Sequence, residues 1–208
     1  MPFGILNVGY DSTNYYLVGS TFGFLLIDAG WPGTWGKLLA VLKRNDIDLD
    51  QIHSMLITHY HPDHAGLVQE LKAKGIELIV VAEQQPAIPL LKSLIKPEYN
   101  YQPITPDNTR VITTAQSREW LASLALAGEI IHTPGHSADS ISLVLDQGIA
   151  FTGDLQPYAA DDESQALVER SFQALRERGV EWMYPGHGPM RPLIYVSQQV
   201  KLCPDDPS

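Results

Sequence analysis

His59-Tyr60-His61-Pro62-Asp63-His64 decides the reading of this chain, because three histidines and an aspartate crowd into residues 59–64 just after the strand-like run Ile52 to Ile57. The whole chain of 208 residues holds only seven histidines. If His59 and His61 extend the strand, their side chains point the same way and lie roughly 7 Å apart, a spacing that one metal ion can bridge. Asp63 and His64 fall where the chain turns into the next helix, which Pro62 helps to start, so they aim elsewhere and suit a second ion beside the first.

Three further sites repeat one design, a ligand-type residue directly after a glycine at the end of an apolar strand: Pro134-Gly135-His136, Gly153-Asp154 and Gly186-His187-Gly188. Glycine lets the backbone bend tightly and approach an ion closely. With these sites five of the seven histidines are used, and His53 and His132 take no role.

Outward from the motif, the residue pattern predicts a layered α/β chain. Strands are expected at Phe3 to Val8, Tyr15 to Val18, Phe22 to Ile27, Ile52 to Ile57, Glu77 to Val81 and Arg110 to Thr113. A second set covers Glu129 to His132, Ser140 to Leu145, Ile149 to Thr152 and Trp182 to Tyr184. Helices are expected over Gly33 to Asn45, Pro62 to Lys74, Ser117 to Leu126 and from the cap Asp161-Asp162 to Arg178. Pro86 to Pro106, with five of the fifteen prolines, reads as a short helix plus an irregular excursion. Neither repeats nor low-complexity tracts occur, and residues 1–208 read as one domain with a short C-terminal tail.

Composition excludes several chemistries. The formal charge of −10 and the lack of a basic patch oppose binding to nucleic acid. No run approaches the ~18 apolar residues of a membrane span, and no positive segment precedes Lys37, so the expectation is a cytoplasmic protein without membrane contact. The single cysteine, Cys203, lies in a Pro/Asp tail, which removes disulfides, cysteine-rich zinc sites and thiol catalysis together. The chemistry must rest on histidines and carboxylates.

Together, Asp28 in Leu26-Ile27-Asp28-Ala29-Gly30, the His59 to His64 motif, His136 in Thr133-Pro134-Gly135-His136-Ser137, Asp154 in Thr152-Gly153-Asp154 and His187 in Pro185-Gly186-His187-Gly188 resemble the metallo-β-lactamase superfamily. The resemblance implies a four-layer αββα sandwich, two mixed sheets face to face with helices outside. It implies that His59, His61 and His136 bind one divalent ion, that Asp63, His64 and His187 bind a second, and that Asp154 bridges them. Asp28 would hydrogen-bond and orient a ligand histidine. Zinc is the first expectation for both ions, with iron or manganese also compatible with nitrogen and oxygen ligands. A metal-bridging hydroxide would then cleave an ester, lactone or thioester of a small molecule, with Asp63 and Asp154 as the catalytic carboxylates.

Departures within the superfamily sharpen the expectation. True β-lactamases of this fold lack the bridging aspartate, so Asp154 argues against antibiotic hydrolysis. Flavo-diiron proteins carry glutamate where this chain has His61. Residues 188–208 leave no room after His187 for the helical, glutathione-binding domain of glyoxalase II, although shorter related thioesterases stay open. Tyr158 lies four residues after Asp154, one further than the tyrosine of acyl-homoserine lactonases. With Trp31 and Trp35, and the apolar stretch Leu90 to Tyr101, Tyr158 is expected to wall a substrate pocket for an apolar acyl or ring group. The alternatives for Pro86 to Pro106 are packing outside the sandwich or a homodimer contact. Two other activities remain open from the motifs: an iron dioxygenase similar to persulfide dioxygenases, using His59, His136 and Asp154, and a nuclease resembling tRNA-processing phosphodiesterases, against which the charge argues.

Overall fold

Strands buried on both faces explain the layers. The computed structural model describes residues 4–159 and 161–193; the start of the first expected strand at Phe3 and the tail with Cys203 lie outside them. One sheet has six strands in sequence order: β1 (Ile5–Asn7), β2 (Tyr16–Ser20), β3 (Gly23–Ile27), β4 (Ile52–Leu56), β5 (Glu77–Val81) and β6 (Thr109–Ile112). Strands β1 to β3 run antiparallel, and β3 to β6 pair parallel. The second sheet comprises β7 (Gly128–His132), β8 (Ile141–Leu145), β9 (Ile149–Gly153), β10 (Trp182–Pro185) and β11 (Arg191–Pro192), in the order β11-β10-β9-β8-β7. Both sheets are mixed, and helices flank them.

Because side chains alternate between faces, each continuous apolar strand feeds two cores. Leu26, Met55, Leu78 and Val80 point outward to the helices α1 (Trp35–Arg44), α2 (Pro62–Ala65) and α3 (Val68–Lys72). Their neighbours Leu25, Ile27, Leu56, Ile79 and Val81 point inward, meeting Ile141, Leu143 and Phe151 of the second sheet. The helix α4 (Thr114–Ser123) caps this inter-sheet core with Trp120 and Leu121. Val144, Ala150 and Met183 face the far side, where helix α5 (Asp162–Glu177) lays down Val168, Phe172 and Leu175.

Several expected boundaries move for identifiable reasons. The helix expected over Pro62 to Lys74 breaks into α2 and α3 at Gly66-Leu67. There the loop after β3 takes over the backbone hydrogen bonds: Ala29 donates to His64, Gly66 to Gly30 and Leu67 to Ala29. Phe22 lies in an exposed turn, and β3 begins at Gly23, whose φ of +125° suits glycine. Helix α4 starts three residues early because Thr113 N–H donates to the Gln116 side chain at 2.9 Å and opens the helix. Asp161 caps α5 by accepting the Ser164 N–H at 2.9 Å. Within Pro86 to Pro106 the structure has 3-10 turns at Ile88–Leu94 and Pro97–Tyr99. Ile88, Leu91, Ile95, Tyr101 and Ile104 from this segment pack on the outer core of the six-stranded sheet.

Candidate metal centre

The centre sits at one end of the two sheets, where loops from both converge. Strand β4 stops at Leu56, so His59 and His61 reach a common point from a bent loop and not, as expected, by extending the strand. Their rings nevertheless lie 4.5 Å apart, with His136 4.7 Å from His59. His136 Nε2 is 3.0 Å from His61 Nδ1. These three histidines form one group with its ligand-type atoms within 4.8 Å of one another. Asp63, His64, Asp154 and His187 form a second.

Asp154 lies between the two groups. Its Oδ2 is 3.9 Å from His59 Nε2, 3.7 Å from His136 Nε2 and 3.4 Å from His187 Nε2, while Oδ1 is 3.3 Å from His64 Nε2. Asp63 Oδ2 completes the second group at 3.1 Å from His187 Nε2 and 3.4 Å from His64 Nε2.

Two of the rings are turned by a partner on the other nitrogen. Asp28 is buried in a left-handed backbone conformation with φ of +63°. Its Oδ2 sits 2.8 Å from His64 Nδ1, and its Oδ1 accepts the Thr58 N–H at 2.7 Å. His187 Nδ1 donates to the Ser12 carbonyl at 2.7 Å. Both arrangements keep a proton on Nδ1 and direct Nε2 at the cluster. Asn14 fastens the loop carrying His187 by donating to the carbonyls of Pro185 and Gly188 at 2.9 and 2.7 Å.

Two glycines make room. A Cβ on Gly186 would come within 2.5 Å of both Asp154 Oδ1 and His64 Cε1. One on Gly153 would meet the Thr58 hydroxyl at 2.5 Å. The glycines before Asp154 and His187 therefore serve close approach as well as bending.

The electrostatics favour a cation. Burial pushes His59 well below the ordinary imidazole value, and the surrounding histidines add to the shift. Burial also lowers His136. Burial alone would raise Asp63 and Asp154, yet the neighbouring His64 outweighs it and holds both below the usual carboxylate range. For His64, burial works downward but Asp28, Asp154 and Asp63 prevail and raise it well above its ordinary value. A field that holds a proton on His64 also attracts a metal ion. The most direct sign of fit is that the buried atoms His59 Nε2, His64 Nε2 and Asp154 Oδ1 have no hydrogen-bond partner among the described residues. Such orphaned polar atoms are costly unless a ligand satisfies them. All-nitrogen-and-oxygen donors of this kind suit divalent ions of the zinc, iron and manganese type.

Residues 8–187 match the family model described as the metallo-beta-lactamase superfamily. The chain belongs to that superfamily. Among its curated relatives are a beta-lactamase-like protein 2 homolog of Drosophila melanogaster and a probable metallo-hydrolase of Methanocaldococcus jannaschii. The first is 29% identical, covering 86% of this chain and 59% of the relative; the second is also 29% identical, with 86% and 89% covered. An atrochrysone carboxyl ACP thioesterase of Aspergillus chevalieri is 31% identical over 86% of this chain, which spans only 52% of that protein. A solved metallo-beta-lactamase family protein from Thermus thermophilus superposes with a TM-score of 0.72 at 18% identity, covering 96% of this chain and 78% of that one. That likeness shows the fold, and the superfamily's curated relatives include a probable metallo-hydrolase, in keeping with the two His/Asp groups of ligand-type residues gathered here.

Of the other expected residues, Tyr158 alone is seen beside the cluster. Tyr158 lines a cleft of about 290 Å³ together with His136, Asp154 and Gln156. Trp31 stacks edge-on against Tyr99 at 5.7 Å, whereas Trp35 packs on the core beneath α1. His132 lies apart and is bonded to the Ala138 carbonyl, and His53 is exposed on β4. Sequence reading passed over Thr58, Ser12, Asn14 and also Asp139, which accepts the Tyr60 N–H at 2.7 Å. Thr58 alone carried a local signal, standing directly before His59. Among the described residues no helix is long and apolar enough to cross a membrane.

Proposed function

We propose that the protein is a dinuclear metal-dependent hydrolase that cleaves an ester, lactone or thioester of a small molecule. The observation that carries this reading is Asp154, whose carboxylate faces both residue groups and whose Oδ1 is buried without a partner among the described residues. His59, His61 and His136 would hold one ion, and Asp63, His64 and His187 the other, with Asp154 shared. Ions held there supply Lewis acidity toward a carbonyl and acidify a water to near neutral pH, zinc being the first choice and iron or manganese compatible.

The residues of the chain do the positioning. Asp28 and Thr58 set the His64 ring, and Ser12 sets His187. Asp63, kept ionised by His64 and steadied by the Thr13 hydroxyl at 3.2 Å, orients the attacking water. Trp31 and Tyr158 wall the approach to an apolar acyl or ring group. The thioesterase among the relatives supports the acyl-transfer class, and the net charge of −10 favours a small-molecule substrate over nucleic acid.

A single-iron oxygenase would use His59, His136 and Asp154 and leave the convergence of Asp63, His64 and His187 without purpose. Elemental analysis of protein purified without added metal separates the two readings. Close to two ions per chain, with turnover of thioesters or lactones that collapses in Asp154→Ala and His59→Ala, is the expected result. One iron per chain with oxygen uptake on a persulfide would overturn it. A flat dependence on acyl chain length in both wild type and Trp31→Ala would remove Trp31 from the substrate wall.

A further inference from the structure

Residues 85–106 and the open edge of the six-stranded sheet enclose a hollow of about 600 Å³ that shares no residue with the His/Asp groups. Val80 and Val111, paired across β5 and β6, form one wall, and Ile88, Pro89 and Ile104 form the other. The lining is mostly apolar, and the one charged residue on it is a cation. In a chain with 24 acidic and 14 basic residues, no acidic residue lines the hollow and Lys92 does.

A second cation lies against the same walls. Lys72, at the end of α3, is only 4% exposed, and its ammonium donates to the Thr105 carbonyl and, at 2.8 Å, to the Thr109 hydroxyl. Thr105 and Thr109 both line the hollow. No carboxylate pairs with Lys72 among the described residues; the nearby Asp107 is exposed and acts only at a distance. An ammonium carries three donors, of which two are used here. With its stem buried, no carboxylate within ion-pair distance and the exposed Asp107 as its more distant counter-charge, the part-buried ammonium can take an anion from the cavity whose wall residues Thr105 and Thr109 it bonds.

We propose that this hollow binds a small apolar monocarboxylate, its chain between the sheet edge and residues 85–106 and its carboxylate at the Thr105 and Thr109 end, beside Lys72. The hydrolysis proposed above releases acids of this class, but the binding site stands without that reading and is tested without turnover.

Isothermal titration of the full chain with octanoate, octan-1-ol and acetate decides. Octanoate is expected to saturate at one per chain, with octan-1-ol about tenfold weaker, the size of one charge-assisted contact near a surface, and acetate weaker still. Lys72→Met should weaken octanoate about tenfold and leave octan-1-ol within about twofold. Val111→Glu, on the edge strand where Val111 is half-exposed and a charge can reach solvent, should abolish octanoate binding by placing a negative charge in the wall, and it carries the test if Lys72→Met does not fold. His59→Ala should bind octanoate as wild type does. Absence of saturation, equal affinity for acid and alcohol, binding that survives Val111→Glu, or binding lost in His59→Ala would each overturn the proposal.

Discussion

Replacing Asp28 by asparagine probes the metal centre without touching any residue assigned to an ion. Asn tolerates the left-handed backbone that Asp28 adopts at φ of +63°, so the substitution adds little strain where alanine would add more. The hydrogen bonds are another matter. The Asp28 carboxylate accepts from the Thr58 N–H at 2.7 Å, from the Thr58 hydroxyl at 3.0 Å and from His64 Nδ1 at 2.8 Å. An amide has a single acceptor oxygen. If that oxygen stays with Thr58, the NH2 group faces His64 Nδ1 and drives the ring proton to Nε2, the nitrogen aimed at Asp63 and Asp154. A protonated Nε2 cannot ligate. The loss expected for removing such a positioning partner is about 10–100-fold in metal affinity, or about 1.4–2.7 kcal/mol, with hydrolysis falling in parallel. Competition for zinc against a chelator of known affinity measures the first quantity, and saturating added zinc should restore part of the second. Wild-type zinc affinity in a folded Asp28→Asn protein would refute the reasoning and leave Asp28 a turn residue.

Gly186→Ala should cost at least about tenfold in metal affinity, since its Cβ would sit 2.5 Å from Asp154 Oδ1 and His64 Cε1; elemental analysis of the purified variant reads the occupancy. Phe151→Ala, emptying the space between Tyr16 and Tyr184 in the inter-sheet core, should destabilise the fold by about 3–5 kcal/mol in urea unfolding. Metal binding should release protons and strengthen as pH rises, because His64 is held protonated by its carboxylate neighbours; titrations in buffers of different ionisation enthalpy count the protons. In chelator, the raised His64 contributes stability that is full below about pH 6.5 and fades as pH rises through its higher folded value. Asp63 and Asp154 act oppositely, contributing above about pH 4 and fading as pH falls through their lower folded values; urea midpoints across pH read both.

The sequence by itself picked out the residues that gather in the candidate metal centre, and the layered class. Five histidines and two aspartates stand in short motifs that contain glycine or proline, and such local patterns need no knowledge of distant contacts. Continuous apolar strands such as Leu78 to Val81 likewise declare burial on both faces. Tertiary structure alone decided how these pieces meet. The break between α2 and α3 follows from hydrogen bonds with Ala29 and Gly30, more than 30 residues earlier in the chain. Thr58, Ser12 and Asn14 became part of the centre through bonds across loops whose own sequences read only as turns. That Asp154 faces both histidine groups is a property of two sheets brought face to face, because no local rule relates His59 to a carboxylate 95 positions later. Local chemistry is written in spacing, whereas the aim of a side chain depends on which backbone groups, far away in sequence, accept its other hydrogen bonds.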